Sequence, residues 1–277
     1  MEQFSAKMPW VIFRLLNEQF AVSADHIREM VAMPHVVEMP GVPDYVRGVI
    51  NLRGKVIPVL DLRRRMGMRS LMTEVEDLIL LLNQREQDHI NWLTELEASV
   101  RDHREFKLTT DPHQCAFGRW YDNYSTDNRT LAISLKKFDA PHKKIHGIAV
   151  KIKEFESSGD FDSAINIIQQ TRENELAEMV NLFAEVRLLI QESNREIALV
   201  LEWKDNVIAG AVDSVETVEK LKVDEIVDLP GLASTSANEC IFGIAKRLSN
   251  KGMVQLLDVR SLIGSEPLPD ENPEEGA

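Results

Sequence analysis

The amino-acid sequence predicts an α+β multidomain protein in which two small β-barrels are interrupted by an inserted all-α helix bundle. Three observations predict this class. Residues 10–67 contain short apolar runs punctuated by Gly and Pro, and such runs return from Ile197 onward. Residues 74–193 have a helical period instead. The two strand-rich regions share a repeated motif, which indicates a β unit duplicated on either side of the helical segment.

The strands are predicted from apolar runs bounded by turn residues. A tight turn at Arg53-Gly54 joins two of them, and a turn at residues 204–206 joins another two. In chain order, the predicted strands cover residues 10–15, 46–51, 55–62, 197–203 and 207–212.

The duplication is visible in motifs that keep their order and approximate spacing. GKVIPVLDLR at residues 54–63 is echoed by GMVQLLDVR at residues 252–260. In each copy an Asp, Asp61 or Asp258, precedes a short apolar-basic run, so it is predicted to cap a short helix. Further echoes are GVI at residues 48–50 with GIA at 243–245, and EMPG at 38–41 with DLPG at 228–231.

The helical region carries His residues on faces that should be buried. Val75, Leu82, His89 and Leu96 recur every seven residues, which places His89 on the interior face of a helix. A buried imidazole there must find a partner. Residues 157–160 break the helices, and a near-heptad stripe marks the last one: Ile165, Ile168, Leu176, Met179, Phe183, Val186 and Ile190.

Four residues form a candidate metal-binding set. His142 and His146 are four residues apart, so on a helix they share a face and can bind one ion. A pair at this spacing is by itself also common in ordinary helices. Cys115 and His89 supply the further soft or borderline ligands that a tetrahedral zinc site needs. His103 and His113 are reserve candidates.

Three motifs containing these ligands resemble the chemoreceptor zinc-binding (CZB) domain. They are HINW at residues 89–92, CAFGRW at 115–120 and PHKKIH at 141–146. In that family three His and one Cys bind zinc, which carries over onto His89, Cys115, His142 and His146. For some members the resemblance also implies that oxidants such as hypochlorite attack the ligating thiolate, here Cys115, and that the bundle forms a homodimer.

The strand-rich part resembles a second family. VRGVINLRGKVIPVLDL at residues 46–62 is similar to the signature of CheW, the bacterial chemotaxis adaptor. The resemblance implies two five-stranded SH3-like barrels, no catalytic residues, and binding to the histidine kinase CheA and to the cytoplasmic tips of chemoreceptors. The hairpin at Arg53 then belongs to the partner-binding region, with Val49, Leu52 and Arg53 as interface candidates and Glu29 as a candidate ion-pair partner of Arg53.

These patterns give four predicted segments. An N-terminal CheW-like half covers residues 8–71, an inserted CZB bundle covers 72–194, and a C-terminal CheW-like half covers 195–264. Residues 265–277 are acidic and rich in Pro, so a disordered tail is predicted there.

Composition limits the classes of partner and compartment. A formal net charge of -13 disfavours binding to nucleic acid and to anionic membranes. No apolar run approaches the roughly 18 residues of a membrane span, and the start lacks the features of a signal peptide. Two Cys make no disulfide framework, so a cytoplasmic location is expected.

Three functions remain to be weighed. The first is a non-enzymatic adaptor that senses through zinc. The second is a zinc hydrolase, which is disfavoured because the fourth ligand is a thiolate and no Glu is placed as in His-Glu-x-x-His. The third is an adaptor whose zinc only staples the bundle, and the sequence leaves that alternative open.

Overall fold

The computed structural model of the protein describes residues 9–221, 227–228, 240–247 and 252–263. The chain divides into two compact units. The β unit comprises Met1–Leu71 and Arg195–Ala277, and the helical unit comprises Met72–Asn194. The tail predicted at residues 265–277, and residues 229–231 of the second EMPG-like motif, lie outside the described residues.

The β unit contains strands before and after the helical segment, with a short helix closing each set. The strands and helices predicted from the sequence are confirmed, including the capping role of Asp61, which accepts a hydrogen bond from the Arg64 N–H. The elements are β1 (Pro9–Leu15), β2 (Glu18–Ser23), a 3-10 turn (Ala24–His26), β3 (Ile27–Ala32), β4 (Val46–Leu52), β5 (Lys55–Asp61) and α1 (Leu62–Arg65), and later β6 (Ile197–Trp203), β7 (Asn206–Val212), β8 (Ser214–Lys220), β9 (Val227–Asp228), β10 (Ile241–Lys246), β11 (Met253–Leu257) and α8 (Val259–Ile263).

The strands form two mixed sheets. One is six-stranded, in the order β8-β1-β2-β11-β10-β9, and the other is five-stranded, in the order β3-β6-β7-β5-β4. Most neighbours are antiparallel, whereas β11 runs parallel to β2 and β5 runs parallel to β7. The β unit is therefore a pair of mixed sheets.

Each sheet combines strands from both sides of the helical segment. The β1–β2 hairpin pairs with β8 and β11, and the β6–β7 hairpin pairs with β3 and β5. The orders β8-β1-β2-β11-β10 and β3-β6-β7-β5-β4 correspond strand for strand, as two copies of one unit would. The copies have thus exchanged their first hairpins, and this exchange ties the two chain segments into one structure.

Equivalent positions in the two sheets keep equivalent features. Both β4–β5 and β10–β11 shift register at a Gly, Gly48 in one pair and Gly243 in the other. An ion pair also recurs with its charges reversed. In one sheet Arg14 of β1 pairs with Glu216 of β8. At the equivalent positions of the other sheet, Glu202 of β6 pairs with Arg28 of β3. The sheet geometry therefore supports the duplication that the sequence motifs indicate.

The described residues of the β unit form three apolar clusters that hold it together. The largest contains residues of both sheets, among them Phe13, Phe20, Leu199 and Leu257. Each sheet also has a cluster of its own, around Trp10, Ile12 and Leu256 in one sheet and around Val59, Ala198 and Val200 in the other. Alternate residues of β1 and β6 face different clusters, which is why these strands are apolar on both faces.

The hairpin turns use the left-handed backbone conformation. In the β4–β5 turn, Arg53 and Gly54 have φ of 52° and 83°, the pattern of a type I′ turn. The Asn51 side-chain oxygen accepts a hydrogen bond of 2.9 Å from the Gly54 N–H. Leu16 and Lys204 begin the β1–β2 and β6–β7 turns with φ of 55° and 53°.

The helical unit is built from six helices joined by loops and one π-helical turn. Its elements are α2 (Leu71–Arg101), α3 (Ala116–Tyr121), α4 (Arg129–Lys136), α5 (Asp139–Ser158), α6 (Phe161–Thr171), a π turn (Arg172–Leu176) and α7 (Ala177–Ser193). The predicted break is confirmed, since Gly159 ends α5 with φ of 77° and Asp160 caps α6 through the Ser163 N–H.

One apolar core fills the helical unit. Leu82, Leu96, Phe117, Phe138 and Phe183 are all within it and almost fully buried. The residues of the predicted stripe on α6 and α7 also belong to this core or pack against it. Among the helices of the described segments, none is long and apolar enough to cross a membrane.

Candidate metal centre

Four side chains from three helices meet inside the helical unit. They are His89 of α2, Cys115 at the start of α3, and His142 and His146 of α5, and one ligand atom from each lies within 4.8 Å of the others. These are the four ligands that the sequence motifs predicted. The structure brings all of them together.

The spacing of the ligand atoms suits a small ion. Cys115 Sγ lies 3.2 Å from His142 Nε2 and 4.0 Å from His89 Nε2. Zinc bonds of about 2.0–2.1 Å to nitrogen and about 2.3 Å to sulfur put tetrahedral ligand atoms roughly 3.3–3.6 Å apart. Of the two observed separations, 3.2 Å lies just below this range and 4.0 Å lies above it.

Each helix delivers its ligand for a local reason. His142 and His146 lie one turn apart on the buried face of α5. His89 lies on the buried face of α2, and its ring contacts the Phe117 ring edge-on. Cys115 is the N-cap of α3, and its sulfur accepts a hydrogen bond of 3.1 Å from the Gly118 N–H.

Gly118 is required by close backbone packing at this cap. A Cβ on Gly118 would lie 1.8 Å from the Pro112 carbonyl oxygen, a distance no side chain can occupy. The same carbonyl accepts the Cys115 thiol at 3.3 Å. The Gly in CAFGRW therefore lets the loop before α3 pass close enough to place the sulfur.

Burial keeps the three imidazoles neutral. It lowers the pKa of His89, lowers the pKa of His142 to about 3, and lowers the pKa of His146 to about 4. The neighbouring imidazoles add to the effect on His142 and His146. Neutral rings keep a lone pair, which is the form that binds a metal.

The thiol of Cys115 is less buried than the three rings. Burial raises its pKa, while the backbone N–H groups of Gly118 and Phe117 and the charge of Arg119 act in the opposite direction. Without a metal the thiol therefore keeps its proton near neutral pH. A metal that binds here must displace that proton.

His89 has a ring hydrogen bond that indicates how it would face an ion, whereas His146 has none among the described residues. His89 Nδ1 lies 2.7 Å from the Arg85 carbonyl oxygen, so it donates there and leaves Nε2 as an acceptor. Within the described part of the chain, neither ring nitrogen of His146 has a hydrogen-bond partner, although the ring is only 1% exposed. A buried polar ring without partners is costly unless something else satisfies it.

The donor set fits zinc. Three neutral imidazoles and one thiol, gathered within a few ångströms and nearly dry, match the nitrogen and sulfur ligands of tetrahedral zinc sites. The unpartnered His146 ring would gain a partner from a bound ion. The two reserve candidates lie elsewhere: His113 pairs with Asp122 at 2.9 Å, and His103 packs on Phe161.

The predicted interface candidates lie on the β4–β5 hairpin of the β unit. Arg53 is 79% exposed at its tip, and its Nη2 lies 2.8 Å from Glu29 Oε2, so the predicted ion pair is present. The distance between Arg53 and Glu29 is that of an ion pair, but the geometry is not that of a hydrogen bond. Val49 and Leu52 are half-buried, and Val49 forms a β-bridge with Val37.

Two mixed sheets and a helical unit that contains a His3Cys cluster define the class as a β-sheet protein with a helical domain that has a candidate metal centre. Residues 9–90 match the family model of the CheW-like domain, and residues 89–153 match that of the chemoreceptor zinc-binding domain. The chain thus combines a CheW-like domain with a chemoreceptor zinc-binding domain. The first match extends into α2, and the second ends within α5.

Two CheW proteins are similar in sequence to part of this chain. The chemotaxis protein CheW of Bacillus subtilis is 28% identical over 102 residues, which is 37% of this chain and 65% of that protein. CheW of Rhizobium meliloti is 37% identical over 71 residues, 26% of this chain and 46% of that protein. The chain thus spans between about half and two thirds of these relatives. The crystal structure of the scaffolding protein TtCheW from Thermoanaerobacter tengcongensis gives a TM-score of 0.41 at 16% identity, covering 91% of this chain and 88% of that one.

Proposed function

We propose that the protein is a non-enzymatic chemotaxis adaptor of the CheW type that carries a zinc-binding sensor. It would couple chemoreceptors to the histidine kinase CheA in the cytoplasm. The observation that carries the proposal is the convergence of His89, Cys115, His142 and His146 in one chain with a CheW-like domain. In finer detail, we infer two SH3-like barrels, one around each sheet, and a CZB domain inserted between residues 71 and 195.

Zinc would be held by the three imidazoles and the Cys115 thiolate. When bound, it supplies no catalytic step but joins α2, the start of α3 and α5 through one ion, so part of its binding free energy stabilises the bundle. The chain's own contribution is to keep the rings neutral, to orient His89 through the Arg85 carbonyl, and to hold Cys115 with the Gly118 N–H.

The sensing role would belong to Cys115. A zinc-bound Cys is a thiolate, the form that oxidants such as hypochlorite attack. Loss of this ligand leaves three imidazoles and a weaker site. Oxidant or zinc availability would then change how firmly the three helices are joined.

The adaptor role would use the exposed β4–β5 hairpin of the β unit. Val49, Leu52 and Arg53 present two apolar side chains and one guanidinium, which suits a partner groove with an apolar floor and an acidic rim. A homodimer through the helical unit is a further part of this proposal, and sedimentation of the zinc-loaded protein tests it.

Elemental analysis tests the metal assignment. The wild type should contain one zinc per chain, and His142→Ala should lose most of it because three ligands bind less tightly than four. His113→Ala is the matched control, since His113 is exposed and bonded to Asp122. Equal zinc in the wild type and in His142→Ala would contradict the assignment, and failure of the purified protein to bind purified CheA would contradict the adaptor role.

A further inference from the structure

A buried tryptophan joins the metal cluster to the loop that precedes Cys115. Trp92 lies on α2, three residues after His89, and is 5% exposed. Its indole N–H donates a hydrogen bond of 2.8 Å to the Thr109 carbonyl oxygen. Its ring packs on Phe106 of the same loop, with ring centroids 5.1 Å apart. Trp92 therefore fixes the position of the loop between α2 and α3.

The other neighbour of Trp92 is a ligand. The indole ring lies 4.7 Å from the His146 ring, centroid to centroid. The carbonyl that Trp92 holds is therefore bonded to an indole ring that packs directly on the His146 ring. Even so, the His146 ring nitrogens have no partner of hydrogen-bonding geometry among the described residues.

A metal-binding imidazole uses only one of its two nitrogens. The other carries a proton and normally donates it to a carboxylate or a backbone carbonyl, which fixes the tautomer and the ring orientation. His89 already has such an acceptor in the Arg85 carbonyl. Among the described residues His146 has no such acceptor, and the Thr109 carbonyl is held by the indole that packs on its ring.

We propose that Trp92 is a positioning residue of the metal site: it holds the Thr109 carbonyl so that this oxygen accepts the His146 ring N–H when the opposite ring nitrogen binds the metal. This inference rests on the proposed zinc site. A carbonyl oxygen has two lone pairs, so it can accept from the indole and from the imidazole together. The arrangement orients His146 and, through the same loop, the approach to Cys115.

Removing only the indole N–H tests the inference. Trp92→Phe keeps an aromatic ring but loses the donor, and replacement of Trp92 by 3-benzothienylalanine keeps the bicyclic shape with sulfur in place of N–H. Both should raise the zinc dissociation constant about 10- to 100-fold, the usual effect of losing a group that orients a ligand. Trp120→Phe is the matched control, because Trp120 packs on Phe117 and Tyr124 in the same unit.

A second readout separates positioning from general loosening. In zinc-loaded protein labelled with ¹⁵N-histidine, the ring N–H of His146 should be visible and slow to exchange with solvent in the wild type. It should exchange faster in both Trp92 replacements while the metal-free proteins keep the same helix content by circular dichroism.

The outcomes distinguish the two proposals. If wild-type protein binds no zinc, both the proposed zinc site and the role inferred for Trp92 are contradicted. If the wild type binds zinc but the benzothienylalanine protein matches it in both affinity and N–H exchange, Trp92 is only a packing residue. If the Trp92→Phe protein does not fold, the isosteric replacement still decides.

Discussion

Gly118 gives the sharpest residue-scale prediction for the metal site. A methyl group there collides with the Pro112 carbonyl, so Gly118→Ala must displace either the loop or the start of α3, which carries Cys115. We expect a zinc dissociation constant at least about tenfold higher, by analogy with the loss of a ligand-orienting contact. Overpacking should also lower the free energy of unfolding by about 1–3 kcal/mol. Chelator competition and chemical denaturation measure the two effects.

Gly147→Ala is the control for this prediction. Gly147 lies on α5 directly after His146, and among the described residues no atom lies within 4 Å of where its Cβ would be. Alanine should therefore stabilise the helix by about 0.5–1 kcal/mol and leave zinc affinity unchanged. Equal zinc affinity in Gly118→Ala and Gly147→Ala would show that the Pro112 contact does not position the sulfur.

Cys115 should be the first thiol to react with oxidant. Cys240 is fully buried, whereas Cys115 is partly exposed and would be a thiolate when zinc is bound. Limited treatment of zinc-loaded protein with hypochlorite should modify Cys115 first and release zinc in step. Peptide mass spectrometry locates the modification, and a chromogenic chelator follows the metal. Earlier modification of Cys240 would exclude Cys115 as the sensor.

At the residue scale, the sequence motifs carry the ligands but not the groups that orient them. His89, Cys115, His142 and His146 are distinctive residue types at distinctive spacings, so a pattern can indicate them. The acceptor that orients His89 is the Arg85 backbone carbonyl, and the one proposed for His146 is the Thr109 carbonyl. Every residue has a carbonyl, so only the folded chain places these two. Trp92 is visible in the motif HINW, yet its partner lies 17 residues away in a loop without periodicity.

In the β4–β5 hairpin, one substitution can separate the effect on protein stability from the effect on partner affinity. Asn is the preferred residue before Gly in a type I′ turn, so Arg53→Asn suits the left-handed backbone at this position. The ion pair lost with Glu29 is largely exposed on the Arg53 side and contributes at most about 1 kcal/mol. Stability should therefore change little, while affinity for CheA or for a receptor tip should fall.

Lys204→Asn provides the comparison for the hairpin. Lys204 occupies the corresponding left-handed position of the β6–β7 turn, with φ of 53°, and is not an interface candidate. It should leave both stability and partner affinity near wild type. Thermal unfolding and titration calorimetry report the two quantities, and equal partner affinity in all three proteins would remove Arg53 from the interface.

Five strands could be predicted from the sequence, whereas β2, β3 and β8 were not predicted, and the pairing of the strands could not be predicted either. Apolar runs and turn residues locate β1, β4–β5 and β6–β7 closely. The two copies of a duplicated unit, however, have similarly patterned strands, so a hairpin of one copy can pair with either set of partners. The exchanged hairpins meet in the shared cluster around Phe13, Phe20 and Leu199, and this contact between distant parts of the chain has no signature in the local sequence pattern.

For the whole molecule, the β unit should survive removal of the helical unit. The chain on either side of the removed segment is bonded to the rest of the β unit. After the segment, the Glu196 carbonyl accepts a hydrogen bond of 2.9 Å from the Met33 N–H, and the Glu196 carboxylate pairs with Arg47. Arg63 likewise contacts the Arg69 carbonyl at 3.5 Å. A protein with residues 72–194 replaced by a short polar linker should unfold cooperatively and still bind CheA.

The shortened protein also tests the domain boundaries. Its far-ultraviolet circular dichroism should lose most of the helical signal and keep that of the sheets. An insoluble or non-cooperative product would mean that the helical segment is needed to fold the exchanged sheets, and the boundaries at residues 71 and 195 would then not mark an insertion.

Zinc coordination should be linked to partner binding through α2. The helical unit joins the β unit through the chain at both of its ends, and α2, which carries His89, begins at the first of these junctions. A change of zinc coordination that moves or loosens α2 would act on the residues around Ser70, where the chain enters the β unit. If the β unit has two discrete arrangements, zinc shifts the equilibrium between them only as far as its affinities for the two arrangements differ.

Such coupling typically amounts to about 1–3 kcal/mol, which is a 5- to 150-fold change in partner affinity. Zinc-loaded and zinc-stripped protein should therefore differ by that factor when titrated with CheA. Thermodynamic reciprocity requires CheA to change zinc affinity by the same factor, so the two measurements check one another. Gly147→Ala, which should bind zinc normally, must show the full effect, whereas His142→Ala must be insensitive to added zinc. Equal CheA affinity for loaded and stripped wild type, with both folded, would make the ion a structural staple, because a ligand that does not distinguish two states cannot shift the balance between them.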